Sequence, residues 1–328
     1  MALGSDLDAL KSFLRGRVLL FCHHNADPDA VCAAYAMQGL IKTMDASASA
    51  EIALPGGSSS LSKRVMEALG IQASEDFSLE GADALVFLDT ATLNQLEDWR
   101  EAVVSSGAPK VFIDHHATNP ETLSIATLHI VDERASSTCE IVHRLYDQFN
   151  TTPSPVVAKA LLVGMAFDSK RFTVGTEATF DSVSRLLEID GPLEDVIDLL
   201  RPVKKRSERI AVLKASQRMN LHTVGDWIIA TSHLSSFQAS AARALLLLGA
   251  DLAIVVGNDK RKLRVSMRST EWFHKETSIH LGRDIAIPLG EEFEGAGSGH
   301  STAAGVNGRG TPDKLVTRAL LLLEPRLG

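Results

Sequence analysis

The stretch Val18-Leu-Leu-Phe-Cys-His-His-Asn-Ala-Asp-Pro-Asp29 joins an apolar run directly to two histidines and two aspartates. A short apolar run that ends abruptly in polar residues is typical of a strand buried in a sheet. Asp, Asn and Pro also mark ordinary turns, so a solvated surface loop is the simplest alternative interpretation of the charged end. The two interpretations differ in whether other strands end in the same way.

Two further apolar runs end in acidic residues or histidines. Ala84–Leu88 is followed by Asp89, and Val111–Ile113 is followed by Asp114-His115-His116. Helical stretches separate the runs, and alternating strands and helices predict an α/β domain with a parallel sheet. Functional sites in such sheets lie beyond the carboxyl ends of the strands. The repeated pattern therefore favours a site over a solvated loop.

The C-terminal third predicts a second, smaller α/β domain. Apolar runs at 227–231 and 252–256 flank a helical stretch, and residues 262–268 alternate strictly between apolar and polar side chains. A polar, basic segment that includes Arg201, Lys204 and Lys205 precedes them. We predict a doubly wound, mainly parallel α/β domain over residues 1–188, a linker over 189–217 and a smaller α/β domain over 218–328.

Composition narrows the classes of protein. At 328 residues, with 45% hydrophobic and 23% charged residues, the chain resembles an ordinary globular protein. Its net charge of −8 argues against a partner such as long duplex nucleic acid, although short anionic substrates remain compatible. The three cysteines are unpatterned, and neither a signal peptide nor a membrane-spanning run is evident. We expect a cytoplasmic location without membrane association.

The charged strand ends suit a pair of divalent cations. Two ions bridged by a carboxylate need Asp and His ligands from several directions, and one loop cannot surround both. The spacing from His23 to Asp27 and Asp29 lets one turn serve both ions, and Asp89 could bridge them. A mixed histidine and carboxylate set favours Mn²⁺, with Mg²⁺, Co²⁺ or Fe²⁺ as alternatives.

Four motifs in this order closely resemble those of the DHH phosphoesterase superfamily. A Ser-Ser-Thr-x-Glu pattern at 136–140, typical of a capped helix start, resembles that family as well. The motifs are His23-His-Asn-Ala-Asp-Pro-Asp29, Phe87-Leu-Asp-Thr90, Ile113-Asp-His-His-Ala-Thr-Asn119 and Gly164-Met-Ala-Phe-Asp-Ser-Lys-Arg-Phe172.

The resemblance implies a role for each motif residue. Asp114 would support the ions and His116 would contact the phosphate, so that Asp89, Asp114, His115 and His116 form the catalytic group. The register selects His23, not His24, as a metal ligand. One ion would be held by His23, Asp27 and Asp89, and the other by Asp29, Asp89, His115 and Asp168.

The C-terminal segment Gly297-Ser-Gly-His-Ser-Thr-Ala-Ala-Gly305 resembles the signature of the DHHA1 domain. Ser298 stands where that family has a glycine. The strand before it, Val265-Ser-Met-Arg-Ser269, also fits the pattern. The resemblance implies that Arg268, Gly297, Gly299 and His300 bind substrate, since glycines let the backbone approach a phosphate closely.

Together these resemblances imply a Mn²⁺-dependent phosphodiesterase or phosphomonoesterase that uses direct water attack. Its partners would be short oligoribonucleotides or small nucleotides: nanoRNA, linear dinucleotides such as pApA, or 3′-phosphoadenosine 5′-phosphate (pAp). The family often dimerises, so a homodimer is compatible.

Two alternatives remain at this point. An inorganic pyrophosphatase or exopolyphosphatase shares the first-domain motifs, and Lys260, Arg261, Lys262 and Arg264 could supply its basic pocket. A non-catalytic nucleotide-binding regulator is the other, and it would bind nucleotide without turnover.

Overall fold

The computed structural model describes residues 3–201, 205–260 and 262–327. It comprises a first unit, Met1–Pro202, and a second unit, Val203–Gly328. Two basic residues singled out from the sequence, Lys204 and Arg261, lie outside the described residues. Among the described residues, no helix has the length and apolar character needed to cross a membrane.

The first unit is built on a sheet of five parallel strands in the order β2-β1-β3-β4-β5, which confirms the predicted fold class. A 3₁₀ helix, Leu93–Trp99, follows β3. The strands are β1 Arg17–Phe21, β2 Ser49–Ala53, β3 Ala84–Leu88, β4 Lys110–Asp114 and β5 Leu128–Val131. The helices are α1 Leu3–Phe13, α2 Pro28–Met44, α3 Ser60–Leu69, α4 Arg100–Ser105, α5 Pro120–Ile125, α6 Thr138–Gln148, α7 Pro155–Asp168, α8 Glu177–Asp190 and α9 Leu193–Leu199.

Both faces of this sheet are covered, as the continuous apolar runs predict. On one face, alternate residues of the strands pack against α2, α6 and α7. On the other face, Phe21, Phe87 and Phe112 stack across three neighbouring strands, with ring centroids 5.0 and 4.5 Å apart. Because both faces of the sheet are buried, the ends of the strands are where polar side chains can gather.

The second unit contains a mixed sheet of six strands in the order β10-β11-β9-β8-β7-β6. A π-helix, Leu281–Ala286, precedes α13. The strands are β6 Asn220–Val224, β7 Trp227–His233, β8 Leu252–Asp259, β9 Lys262–Ser269, β10 Ala296–Gly299 and β11 Ala303–Arg309. The helices are α10 Arg206–Gln217, α11 Gln238–Leu247, α12 Glu271–Thr277, α13 Ile287–Glu292 and α14 Pro312–Leu327.

Helix α10 belongs to this second unit, where Ala211 and Ala215 pack with α11 on one face of the sheet. Helices α12 and α14 and the π-helix pack on the other face. The predicted alternation in β9 is confirmed, because Leu263, Val265 and Met267 all enter this second cluster. The linker over 189–217 and the boundaries beside it stay predictions.

The π-helix supports the glycine-rich loop. The backbone amides of Leu281 and Gly282 donate to the carbonyls of Ser301 and His300, at 2.9 and 3.1 Å. A Cβ on Gly282 would lie 2.2 Å from the carbonyl oxygen of Gly299, so only glycine permits this approach. Asp284 closes the turn by accepting from the amide of His280 at 2.8 Å. The loop that carries His300 is thus held by backbone packing.

The substitution Asp284→Asn tests how much the Asp284 carboxylate contributes to stability. The hydrogen bond from Arg283 holds the pKa of Asp284 well below its usual range, so folding favours the carboxylate. That stabilisation is present above the unfolded-state pKa of about 3.9 and is lost as pH falls through the lower folded value. We expect Asp284→Asn to lower the free energy of unfolding at pH 7, and the deficit to shrink below about pH 4. Denaturation followed across pH measures it. An equal loss in Glu276→Gln, an exposed change on α12, would contradict the prediction.

Candidate metal centre

The carboxyl ends of three neighbouring strands, β1, β3 and β4, meet at one edge of the first sheet. His23 follows β1 closely, Asp89 follows β3 directly, and Asp114 is the last residue of β4. Parallel pairing places these ends side by side. The structure therefore brings together the charged strand ends that the sequence predicted to meet.

One group of donor atoms joins His23, Asp27 and Asp89. Nε2 of His23 lies 3.8 Å from Oδ1 of Asp27 and 3.8 Å from Oδ2 of Asp89. The other ring nitrogen of His23, Nδ1, lies 2.8 Å from the carbonyl oxygen of His24. A proton on Nδ1 would satisfy that contact and leave Nε2 as a lone-pair donor, the arrangement usual in metal-ligating histidines.

A second group joins Asp29, Asp89, His115 and Asp168, whose donor atoms all lie within 4.8 Å of one another. Asp29 is fully buried in the first turn of α2 and faces the N-terminus of α6, where its two oxygens accept from the amides of Thr138 and Cys139 at 2.6 and 3.0 Å. A helix N-terminus stabilises a carboxylate through its free amides and its dipole. Helix α6 thereby orients Asp29 toward the cluster.

Asp89 is common to both groups and is 2% exposed. Its φ of 57° is left-handed, a conformation that non-glycine residues adopt at a cost and that is concentrated at functional sites. The hydroxyl of Thr138 donates to its Oδ1 at 3.0 Å. The backbone conformation of Asp89 and the hydrogen bond from Thr138 thus place its carboxylate between the two groups.

The cluster carries more negative charge than its neighbours neutralise. Burial, followed by the charges of Asp89, Asp168 and Asp27, raises the pKa of Asp29 well above its usual range. Burial disfavours the charged form of His115, yet Asp168 and Asp89 raise its pKa to about 9. In the described part of the chain, only histidines form ion pairs with these carboxylates.

An unsatisfied atom marks where a cation fits. Nε2 of His115 is buried and makes no hydrogen bond, although it lies 2.9 Å from Oδ2 of Asp168 and 3.5 Å from Oδ1 of Asp89. The distances are short, but the directions do not satisfy hydrogen bonding. A buried, unsatisfied imidazole nitrogen among carboxylate oxygens matches the ligand chemistry of divalent transition metals. The residues present therefore fit a metal centre.

Asp114 and His116 form a third, more exposed group with Asp89 and His115. Oδ1 of Asp114 accepts from the amides of His115 and His116 at 2.7 and 3.0 Å and lies 2.8 Å from Nδ1 of His116. Asp114 first, and then Asp89, raise the pKa of His116 to about 11. Its side chain is 49% exposed, so a charged imidazole faces the open side of the cluster.

The structure gathers all the metal-ligand candidates of the first unit and leaves His24 exposed and outside the donor groups. Their assigned roles stay predictions. Sequence reasoning gave no role to Thr138 or Gly164, although both lie in the quoted motifs. A Cβ on Gly164 would sit 2.7 Å from Oδ1 of Asp29, which explains why α7 carries glycine there.

In the second unit, Arg268 and the glycine-rich loop occupy adjoining strands. Arg268 pairs with Ala303 across β9 and β11, and the amide of His300 donates to the carbonyl of Ala303 at 2.7 Å. Burial, and the nearby charge of Arg243 on α11, lower the pKa of Arg268. Arg243 was not identified from the sequence. The predicted substrate contacts Gly297 and Gly299 lie in β10 beside them.

Comparison with known proteins agrees with this fold. The model of the DHH family N-terminal domain matches residues 17–165. An uncharacterized protein of Methanocaldococcus jannaschii is 32% identical over 307 residues, covering 92% of this chain and 90% of that protein. A second one from this organism is 25% identical over 297 residues, covering 88% of this chain and 57% of its own length.

A solved exopolyphosphatase-related protein from Bacteroides fragilis shares the fold. Its TM-score is 0.63 at 18% identity, over 98% of this chain and 97% of that one. The His and Asp side chains gathered at the strand ends fit a metal-dependent hydrolase. The chain belongs to the DHH phosphoesterase superfamily, which confirms the family resemblance of its motifs.

Thr138→Val tests the support of Asp89. The substitution keeps the side-chain shape but removes the hydroxyl that donates to Oδ1. Loss of such an outer contact typically weakens metal binding by about 10- to 100-fold. We expect a corresponding rise in the dissociation constant for Mn²⁺, measured by calorimetry. Thr138→Ser retains the hydroxyl and should bind nearly as wild type; equal weakening by Ser and Val would contradict the prediction.

Gly164→Ala tests the close approach of α7. The added Cβ would lie 2.2 Å from Sγ of Cys139 and 2.7 Å from Oδ1 of Asp29. Relief of the overlap must move α7 or Asp29, so we expect about 1–3 kcal/mol of destabilisation together with weaker Mn²⁺ binding. Gly107→Ala, where a Cβ meets open space, is the matched control. Unchanged metal affinity in Gly164→Ala would show that Asp29 is not displaced.

Proposed function

We propose that the protein is a Mn²⁺-dependent phosphoesterase that hydrolyses very short oligoribonucleotides, linear dinucleotides such as pApA, or pAp. The observation that carries the proposal is the pair of donor groups that share the buried Asp89. Two adjoining groups with one shared carboxylate suit two cations, and a pair of cations suits displacement at phosphorus.

The proposed ligands are His23, Asp27 and Asp89 for one ion, and Asp29, Asp89, His115 and Asp168 for the other. When bound, divalent ions at such a centre activate a water and offset the charge that develops on the phosphoryl oxygens. Mn²⁺ fits a donor set of carboxylates and imidazoles, and Mg²⁺, Co²⁺ or Fe²⁺ are compatible substitutes.

The chain's own residues hold this centre and receive the substrate. His24 and α6 orient His23 and Asp29 through hydrogen bonds made by the backbone. His116 is exposed and is held by Asp114, so its imidazolium can donate to a phosphate oxygen and stabilise charge as it builds. In this scheme no protein side chain attacks phosphorus, and hydrolysis proceeds without a phospho-enzyme.

The second unit supports a nucleotide substrate. Arg268 is half-buried and donates to its own strand at the carbonyl of Met267, 2.8 Å away, which fixes the guanidinium. His300 is exposed on a loop whose backbone is fixed by close glycine packing. A fixed guanidinium beside an exposed histidine suits binding of a phosphate that is retained while another is cleaved.

An inorganic pyrophosphatase or exopolyphosphatase is the second candidate. Lys262, Arg264 and Arg309 line a shared surface cavity of the second unit, and a phosphate chain would also need such cations. The GSGH segment and Arg268 favour the nucleotide substrate over this candidate.

The deciding experiment is hydrolysis in Mn²⁺ of pAp, pApA, a five-nucleotide RNA and pyrophosphate at matched concentrations, with and without chelator. We expect release of mononucleotide from the first three and none after chelation. Activity confined to pyrophosphate would refute the nucleotide proposal in favour of the second candidate. Binding of nucleotide without turnover would instead indicate a non-catalytic regulator.

Two classes of variant should separate metal centre from substrate contacts. Asp89→Ala removes a ligand shared by both groups, so we expect kcat to fall by more than about a hundredfold together with Mn²⁺ content. Arg268→Gln or His300→Ala should instead raise KM by about tenfold, with metal content retained. Kinetics and metal analysis of purified variants measure both. Equal metal loss in all three would contradict this division of roles.

A further inference from the structure

One face of the second sheet carries a row of cations that extends along β9 beyond Arg268, the proposed substrate contact. Along β9, Lys262, Arg264, Ser266 and Arg268 point to the same face because strand side chains alternate. Their partners on β11 are Arg309, Asn307, Gly305 and Ala303 in turn. The apolar residues between them face the opposite side, toward α12 and α14.

Small side chains form the middle of this face. Ser266 and Gly305 lie between Arg264 and Arg268, Ala303 lies opposite Arg268, and Ser298 of β10 pairs with Gly305. Ser298 and Asn307 are exposed, Ala303 and Gly305 are half-buried, and Ser266 is buried. Helix α11 packs on the same face beside β8 and β9. The result is a groove that is bordered by α11 and open over β10 and β11, which we name the basic groove.

The far end of the basic groove is the most cationic. Lys262, Arg264 and Arg309 line a cavity of about 670 Å³ together with Asn307 and Glu294. Within the described residues, none of these three cations forms an ion pair or a side-chain hydrogen bond. Among the described side chains that line this cavity, three are cationic and one is acidic, so this end attracts an anion.

The spacing of the charges identifies the anion. Arg264 and Arg268 are four residues apart, about 13 Å along the strand, and Lys262 lies about 20 Å from Arg268. The surface between them is neutral, so it does not match polyphosphate, which carries charge on every unit of its chain. A phosphodiester chain places sugars and bases between its phosphates, and the small side chains in the middle of the face leave room for them.

We propose that the basic groove binds the continuing single strand of a short oligoribonucleotide whose terminal phosphate is held at Arg268. This inference rests on the proposed function for its substrate class. Arg268 would hold the phosphate close to the reacting end, and Lys262, Arg264 and Arg309 would bind phosphates further along. The groove thereby makes affinity increase with chain length until the strand reaches its far end.

The test compares Arg264→Gln/Arg309→Gln with the control Lys275→Gln/Lys314→Gln. The control removes the same charge from α12 and α14, which pack on the opposite face, and both lysines are exposed without an ion pair among the described residues. Binding of a labelled five-nucleotide RNA and of pApA is measured by fluorescence anisotropy in chelator, which prevents turnover. Unfolding midpoints confirm that each variant is folded.

We expect the groove variant to weaken binding of the five-nucleotide RNA by about tenfold and to change binding of pApA much less. The salt dependence, as log K against log salt, should become shallower by about 1.4 for two lost phosphate contacts. Wild-type affinity in the groove variant would overturn the proposal, as would an equal loss in the control pair. Loss of affinity for polyphosphate with RNA binding unchanged would also overturn it.

Hydrolysis separates this inference from the proposed function. If wild-type protein binds the five-nucleotide RNA through the groove but cleaves no nucleotide substrate in Mn²⁺, the proposed activity fails and the groove stands. If it cleaves pAp and pApA while the groove variant cleaves the five-nucleotide RNA with unchanged KM, the activity stands and the groove fails.

Discussion

The candidate metal centre of the first unit is built around one carboxylate, Asp89, at a position where burial disfavours its charged form. Asp89 directly follows β3, the central strand of the sheet. It is almost inaccessible to water and adopts a left-handed backbone conformation. Burial raises its pKa, so the surrounding groups must supply compensating interactions. Histidines from neighbouring strand ends and the hydroxyl of Thr138 provide them in part. A divalent cation would supply the rest, and this requirement explains the density of ligands at this edge.

The helices, as well as the strands, position the candidate metal ligands. Helix α6 places its first amides against Asp29, and α7 brings Asp168 to His115. The two helices meet where Gly164 leaves no room for a side chain. Since protein interiors are close-packed, a single carbon added at this contact would displace either α7 or Asp29, which is one of the candidate ligands. The candidate metal centre is therefore formed jointly by the helices on one face of the sheet and by the ends of the strands.

The second unit differs from the first, because it presents cations on one face of its sheet and leaves most of them exposed. The larger apolar residues of β9 and β11 face α12, α14 and the π-helix, so the other face of these two strands is left for polar and small side chains. Gly282 and Gly297 allow the π-helix and the chain after it to contact the strands through backbone atoms alone. This packing holds the His300 loop in place while its exposed side stays open to an anion.

The sequence by itself determined the parallel α/β plan, because buried strands read as continuous apolar runs. It predicted candidate metal ligands from the polar residues that follow those runs and, for Asp168 at the end of α7, from the fourth motif. It also indicated the alternating face of β9. Only the tertiary structure decided that Thr138 supports Asp89, that Gly164 makes room for Asp29 and that Arg243 lies near Arg268. Those relations join residues far apart in the chain, and local periodicity carries no information about which distant side chains will touch.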